Sequence, residues 1–169
     1  MLNVNVGIDI IPVKKSMDLI MQISKLAKII YLNHYIKCIN KTCAKRMYDT
    51  YQTPNAIINA IDSGENYFIV KIKDKNIGYF AINPYEDKLF LSKLYLDPSV
   101  RGCGIGKYIL NILINLSQEL EIPHIELFVS KTNPTVNIYK KLGFKIIKDV
   151  FTDSGQGLIE DDYLMQLDI

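Results

Sequence analysis

The sequence predicts an α/β protein built on a mixed sheet, with elements in the order β-αα-βββ-α-β-α-ββ. Three observations carry that prediction. Apolar residues recur at helical spacing through the first third of the chain. The period then shortens to strand-like runs joined by tight turns. A strand, an amphipathic helix and a second strand follow one another in the middle. Turn-linked runs make antiparallel pairs, whereas a strand–helix–strand crossover demands a parallel pair. The sheet is therefore mixed, with helices on both faces.

Each element has its own signal. Val4 to Ile11 reads as a first strand stopped by Pro12. From Val13 to about Tyr31, Leu19, Ile20, Ile23, Leu26, Ala27 and Ile30 form a helical stripe. A second helical region, Thr42 to Ser63, is interrupted at Pro54 and ended by Gly64. Tyr67 to Ile72 and Ile77 to Ile82 are strand-like, with a turn over Asp74 to Gly78. After a turn at Pro84 to Asp87, Lys88 to Leu96 is a further β-prone run. Ile109, Ile112, Leu113, Leu116 and Leu120 mark one face of a long helix. His124 to Val129 is a strand, Pro134 to Lys141 a short helix, Phe144 to Val150 a strand and Tyr163 to Asp168 the last strand.

No repeat or Pro/Gly/Ser-rich linker divides the 169 residues, so the chain reads as a single domain over residues 1–169. Hydrophobic residues at 49% and charged residues at 22% fit a soluble globular protein. A net charge of +2, with Lys and Arg scattered, argues against nucleic-acid binding. No apolar run is long enough to span a membrane, and Val6 to Val13 is broken by Asp9 and Pro12, unlike a secretory signal. Cys38, Cys43 and Cys103 form an odd set without a CxxC pair, which points to reduced thiols and a cytoplasmic location. With only His34 and His124 besides, no metal site is expected.

The chemistry concentrates in Arg101-Gly102-Cys103-Gly104-Ile105-Gly106, directly after a strand and before a helix. Glycines let backbone N–H groups approach a ligand closely, and a helix N-terminus presents unpaired N–H groups to an anion. A dinucleotide fingerprint is excluded because Lys107 stands where its third glycine belongs. A Walker A loop is excluded because Arg101 and Tyr108 occupy its required Gly and Ser/Thr positions. The plainer reading of the glycines is a tight strand–helix turn with no ligand.

What remains, Arg-x-x-Gly-x-Gly, resembles the pyrophosphate loop of the GCN5-related N-acetyltransferase (GNAT) superfamily. A second stretch, Asn133-Pro134-Thr135-Val136-Asn137-Ile138-Tyr139-Lys140-Lys141-Leu142-Gly143-Phe144, is similar to that superfamily's Asn and Tyr-x-x-x-Gly-Phe pattern. Either stretch alone is a weak pointer. The pair, separated by the expected helix and strand over Leu91 to Phe144, is specific. The N-terminal third and Asp161-Asp162-Tyr163-Leu164-Met165 also look like bacterial members that acetylate polyamines or related amines.

The resemblance implies a GNAT-like fold and acetyl transfer from acetyl-CoA, with no metal, to a small or peptide primary amine. The backbone of Leu94, Tyr95 and Leu96 would hold the pantetheine arm. The amides from Gly102 through Cys103, Gly104, Ile105 and Gly106 to Lys107 would hold the pyrophosphate, with Arg101 opening the loop. Lys107 and Lys141 are readable either as phosphate contacts or as solvent-facing cations. Tyr139 would protonate the departing CoA thiolate; a phenol pKa near 10 against a thiol pKa near 8.5 permits that transfer. Its plainer reading is an aromatic packed on the core. The oxyanion would meet the N–H of Leu94 or a neighbour.

Two departures from the family pattern stand out. Phe90 and Ser92 occupy the places where many members carry a Glu, so the proton acceptor for the amine is open between Glu126, a water held by Ser92, and no dedicated base. Asn133 sits one residue closer to Tyr139 than usual, and Thr132 takes the usual place. Cys103, although beside a helix N-terminus, reads as a small loop residue because the family transfers the acetyl group directly. The run Glu160-Asp161-Asp162 at the entry to the last strand suggests a cationic acceptor. A catalytically silent CoA-binding or sensor domain and transfer of a longer acyl chain are the competing functions. The terminal strand and the hairpin before it are elements through which a homodimer could form.

Overall fold

The computed structural model describes residues 7–38, 41–153, 155 and 159–169. Its strands are ordered β1-β2-β3-β4-β5-β7-β6 in a mixed sheet. The described residues pack as two compact units, the first drawn from residues 7–82 and 93–106, the second from residues 83–92 and 107–169.

In the first unit, β1 (Ile8–Pro12) pairs antiparallel with β2 (Asn66–Ile72). Val4 to Val6 of the expected first strand lie outside the described residues. Pro12 ends this strand rather than stopping it short, opposite Phe68; β1 is an edge strand, where a missing N–H is tolerated. α1 (Met17–Cys38) starts later and runs further than the expected Val13 to Tyr31. Ser16 explains the start: its hydroxyl accepts from Leu19 N and its carbonyl from Ile20 N. Ile20, Ile23, Ala27, Ile30 and Tyr31 are buried along α1, as the helical stripe predicts.

The second helical region resolves into two helices, α2 (Lys41–Tyr51) and α3 (Pro54–Asp62). Thr53 caps α3 by accepting from Ala56 N at 3.3 Å, and Pro54 sits at the helix start, where its missing N–H costs nothing. β2 then turns into β3 (Lys75–Pro84) through Lys73-Asp74 alone. Asn76 and Gly78, expected in the turn, instead belong to the ladder opposite Lys71 and Val70.

Gly78 has a specific reason to be glycine. A Cβ there would overlap the Tyr95 carbonyl oxygen and lie 2.7 Å from Leu96 Cδ2, on β4 (Leu89–Leu96). Gly78→Ala is therefore expected to cost about 1–3 kcal/mol by overpacking, read as a lower midpoint in urea unfolding. An unchanged midpoint would show that β4 yields freely at this point.

The core of the first unit is unusually rich in tyrosine. Tyr31 meets Tyr35 at 4.5 Å and Tyr95 at 5.1 Å between ring centroids, and Tyr79 meets Tyr95 at 5.4 Å. Tyr79 donates to Gln52 Oε1 at 3.0 Å, which satisfies both buried polar groups.

In the second unit, the Leu89–Ser92 half of β4 runs parallel to β5 (His124–Ser130), with Leu89 opposite Ile125 and Phe90 opposite Glu126. No further β4–β5 pair occurs among the described residues. β5 pairs antiparallel with β7 (Ile159–Asp168), which pairs antiparallel with β6 (Lys145–Asp153). Both β6 and β7 extend beyond their expected bounds because Phe151 to Asp153 and Ile159 to Asp161 pair with each other. The acidic run thus lies inside the ladder, not at its entry. α4 (Ile105–Glu119) buries Ile109 and Leu113, and α5 (Thr135–Lys141) buries Val136. No helix of the described residues is long and apolar enough to cross a membrane.

Candidate functional site

The first unit brings the expected backbone strand and the glycine loop together. After β4, Asp97 accepts from both the N–H and the hydroxyl of Ser99 at 2.8 and 2.6 Å. These bonds hold its carboxyl below the usual range and fix a 3-10 turn over Pro98–Val100. Asp97 N also donates to Ile77 O, tying the loop's start to β3. Arg101 folds back so that its Nε donates to Leu96 O at 3.2 Å. The cation expected at the phosphate loop is thus anchored to the end of the strand expected beside pantetheine.

Gly102 and Gly104 have φ of +75° and +84°, a left-handed region that other residues occupy only with strain. These two reversals bring the chain to the first turn of α4 at Ile105, whose side chain is buried. The initial N–H groups of that helix lack intrahelical acceptors, which is what an anion requires. Cys103 is half-buried, with its thiol 3.8 Å from Arg101 O.

Beside Leu94 the structure shows a group that the sequence reading did not single out. Lys93 Nζ contacts both carboxylate oxygens of Glu65 at 2.9 and 3.0 Å, with side-chain exposures of only 14% and 8%. The same ammonium lies 5.1 Å from the Tyr67 ring centroid. Burial, followed by the nearby Glu65 charge, pushes the Tyr67 phenol far above its usual range. The available signal was Lys93 itself, the single charged residue in the run Leu89 to Leu96.

The second unit carries the remaining predicted residues. Lys107 is exposed on α4, and Lys141 is exposed at the end of α5. Asn133 directs its side-chain oxygen to Thr135 N at 3.0 Å, so it fixes the start of α5, while Thr132 bonds the Ser130 hydroxyl. Tyr139 is half-buried, and its ring lies 5.4 Å from that of Phe144 at 67°. The spacing Tyr-x-x-x-Gly-Phe has a local reason. Phe144 N donates to Tyr139 O and Gly143 N to Lys140 O, which closes α5 and folds Phe144 back onto the tyrosine ring.

Of the candidate proton acceptors, Glu126 pairs with Lys88, Nζ to Oε2 at 3.1 Å, and this contact raises the lysine pKa. Within the acidic run, Asp161 is held by Lys131 at 2.6 Å, and Lys131 also meets Asp149 at 3.3 Å and the Tyr163 ring. Asp162 is half-buried, and its pKa is raised by burial first and by neighbouring Asp161 second. Among the described residues, no group of three or more His, Cys, Asp or Glu side chains is placed to hold a metal.

Comparison with known proteins matches this arrangement to a family. The family model described as Acetyltransferase (GNAT) family matches residues 31–144. Peptidyl-lysine N-acetyltransferase YjaB of Escherichia coli is 29% identical over 77 residues, covering 46% of this chain and 47% of that protein. The ribosomal protein bS18-alanine N-acetyltransferase of Haemophilus influenzae is 31% identical over 85 residues, covering 49% of this chain and 58% of that protein. The chain thus spans about half the length of the curated relatives it matches. The crystal structure of PaiA N-acetyltransferase from Thermoplasma acidophilum in complex with coenzyme A shares the fold. Its TM-score is 0.78 at 19% identity, over 96% of this chain and 99% of that one.

Proposed function

Since this chain belongs to the Acetyltransferase (GNAT) family, we propose that residues 1–169 act as one domain that transfers an acetyl group from acetyl-CoA to a primary amine. The observation that carries this reading is the double left-handed turn at Gly102 and Gly104 leading into α4. Its backbone donors receive the CoA pyrophosphate, with Arg101 braced against Leu96 beside them. The edge of β4 from Leu94 to Leu96 receives the pantetheine arm, and the amide at Leu94 meets the oxyanion.

Attack forms the N–C bond and breaks the C–S bond. An incoming ammonium loses one proton before attack, and a second leaves the nitrogen as the amide forms. The Tyr139 hydroxyl delivers one proton to the thiolate and is restored by one of the two protons taken from nitrogen, so that CoA leaves as the thiol and one proton is released overall. Lysine and alanine amines are the acceptors named for the two curated relatives, which supports a primary amine here. The reading is tested by incubating acetyl-CoA with a mixed panel of amines and following free thiol together with the mass of each amine. Thiol release matched by an amine 42 Da heavier supports it.

A second reading, a CoA-binding sensor without turnover, is favoured by the pairing of Glu126 with Lys88, which engages one candidate base. The same panel separates the two, because a sensor binds CoA and acetylates nothing.

Direct transfer makes Cys103 dispensable. Cys103→Ala is expected to keep most of the activity, checked by steady-state kinetics in which both substrates are varied. A trapped acetyl-enzyme or ping-pong kinetics would count against direct transfer.

A further inference from the structure

One face of the second unit's sheet combines an aromatic pair with a carboxylate, Asp162, that makes no ion pair among the described residues. The register fixes its members. Phe90 is opposite Glu126, Phe128 opposite Leu164, and Ser130 opposite Asp162. Because side chains alternate along strands, Phe90, Glu126, Phe128, Ser130, Leu164 and Asp162 share this face. The Phe90 and Phe128 rings meet edge to face at 5.2 Å, yet Phe128 remains 49% exposed. An aromatic pair half open to water is a surface waiting for an apolar group.

The charges on this face are unequal. Glu126 has Lys88 as its cation. Asp162 makes no ion pair or side-chain hydrogen bond among the described residues, although it is half-buried. Its cross-strand neighbours are Ser130 on β5 and Val150 on β6. Lys131 acts on Asp162 least of its neighbours and is bound instead to Asp161, Asp149 and the face of Tyr163, which alternate with Asp162 onto the opposite side. Lys148, opposite Leu164 on this same face, forms no ion pair with Asp162. A carboxylate kept partly out of water without a cation costs stability, and a ligand cation offsets that cost.

We propose that Asp162, Phe128 and Phe90 select the acetyl acceptor, and that the acceptor is a primary ammonium joined to an aromatic body by a short spacer. This inference rests on the acetyl-transfer reading and names its substrate class. The ammonium donates to Asp162, and the aromatic body packs on Phe128 and Phe90. Diagonal neighbours on paired strands stand about 7–8 Å apart, as Phe128 and Asp162 do, a span that a two-carbon spacer and one ring cover. A polyamine's thin methylene chain covers less of the aromatic pair than a ring does, and its second ammonium finds no unpaired carboxylate on this face, where Lys148 stands opposite Leu164.

The test measures kcat/KM for 2-phenylethylamine, ethylamine and spermidine with saturating acetyl-CoA, for the unmodified chain, Asp162→Asn and Phe128→Ala. The expected order places 2-phenylethylamine first by about tenfold or more over ethylamine. Asp162→Asn should raise the KM for 2-phenylethylamine by about 10- to 100-fold, the range expected for losing a charged hydrogen bond, while the KM for acetyl-CoA stays unchanged. Phe128→Ala should erase the preference for the aromatic amine over ethylamine. Spermidine or ethylamine outperforming 2-phenylethylamine, or an unchanged acceptor KM in Asp162→Asn, would overturn the inference and leave acetyl transfer standing. Failure of every amine in a mixed panel would overturn both.

Discussion

Tyr139→Phe is expected to lower turnover by about 10²–10⁴-fold, the usual contribution of a positioned general acid. The phenol is needed only as the thiolate departs, so its hydroxyl stabilises the transition state more than the bound ground state. The KM for acetyl-CoA should therefore stay nearly constant. The ring remains in the variant and keeps its contact with Phe144, so the melting temperature should barely move. Steady-state kinetics beside thermal unfolding of the same samples separates the outcomes. A loss of stability together with activity would mark Tyr139 as a packing residue, and normal turnover would transfer the proton delivery to water or another group.

Lys93→Ala is expected to destabilise the protein by about 3–5 kcal/mol, because it removes the cation facing a buried carboxylate. The pair has side-chain exposures of 14% and 8%, so water has little access to the carboxylate in place of the ammonium. Removing both charges is a different experiment. Lys93→Met with Glu65→Leu leaves no uncompensated charge and should restore most of the lost stability, since apolar replacements of buried pairs are often neutral or better. Urea unfolding of the single and double variants measures the difference. A single variant as stable as the unmodified chain would show that the pair is more solvated than its burial indicates.

The site was legible to different degrees for physical reasons. The glycine loop and the Tyr139 to Phe144 pattern could be read because each is local. One is a pair of left-handed turns, the other a helix end whose Phe144 N–H returns to Tyr139 O within the same segment. A boundary moved where a single hydrogen bond decided it, as with the Ser16 cap that starts α1, whereas the break at Pro54 between α2 and α3 was legible from the proline itself. The pairing of Glu65 with Lys93 was invisible because it joins β4 to a residue 28 positions earlier in the chain, and only the folded arrangement brings them together. The acidic run illustrates the same limit. Sequence placed Glu160, Asp161 and Asp162 side by side, but strand alternation sends Asp161 to Lys131 and turns Asp162 to the aromatic face.

The most direct test of the central claim is thermal unfolding with saturating acetyl-CoA. At about 100-fold above the dissociation constant, a ligand that binds only the folded chain contributes about 2.7 kcal/mol. For a chain of this size that corresponds to a rise in Tm of roughly 5–11 °C. The same rise is predicted with CoA, whereas NADH and ATP should leave Tm where it was. Gly104→Val should abolish the response, since its φ of +84° excludes a branched side chain from the turn that presents the loop amides. An unchanged Tm for the unmodified chain in saturating acetyl-CoA would contradict the assignment of this loop to the CoA pyrophosphate.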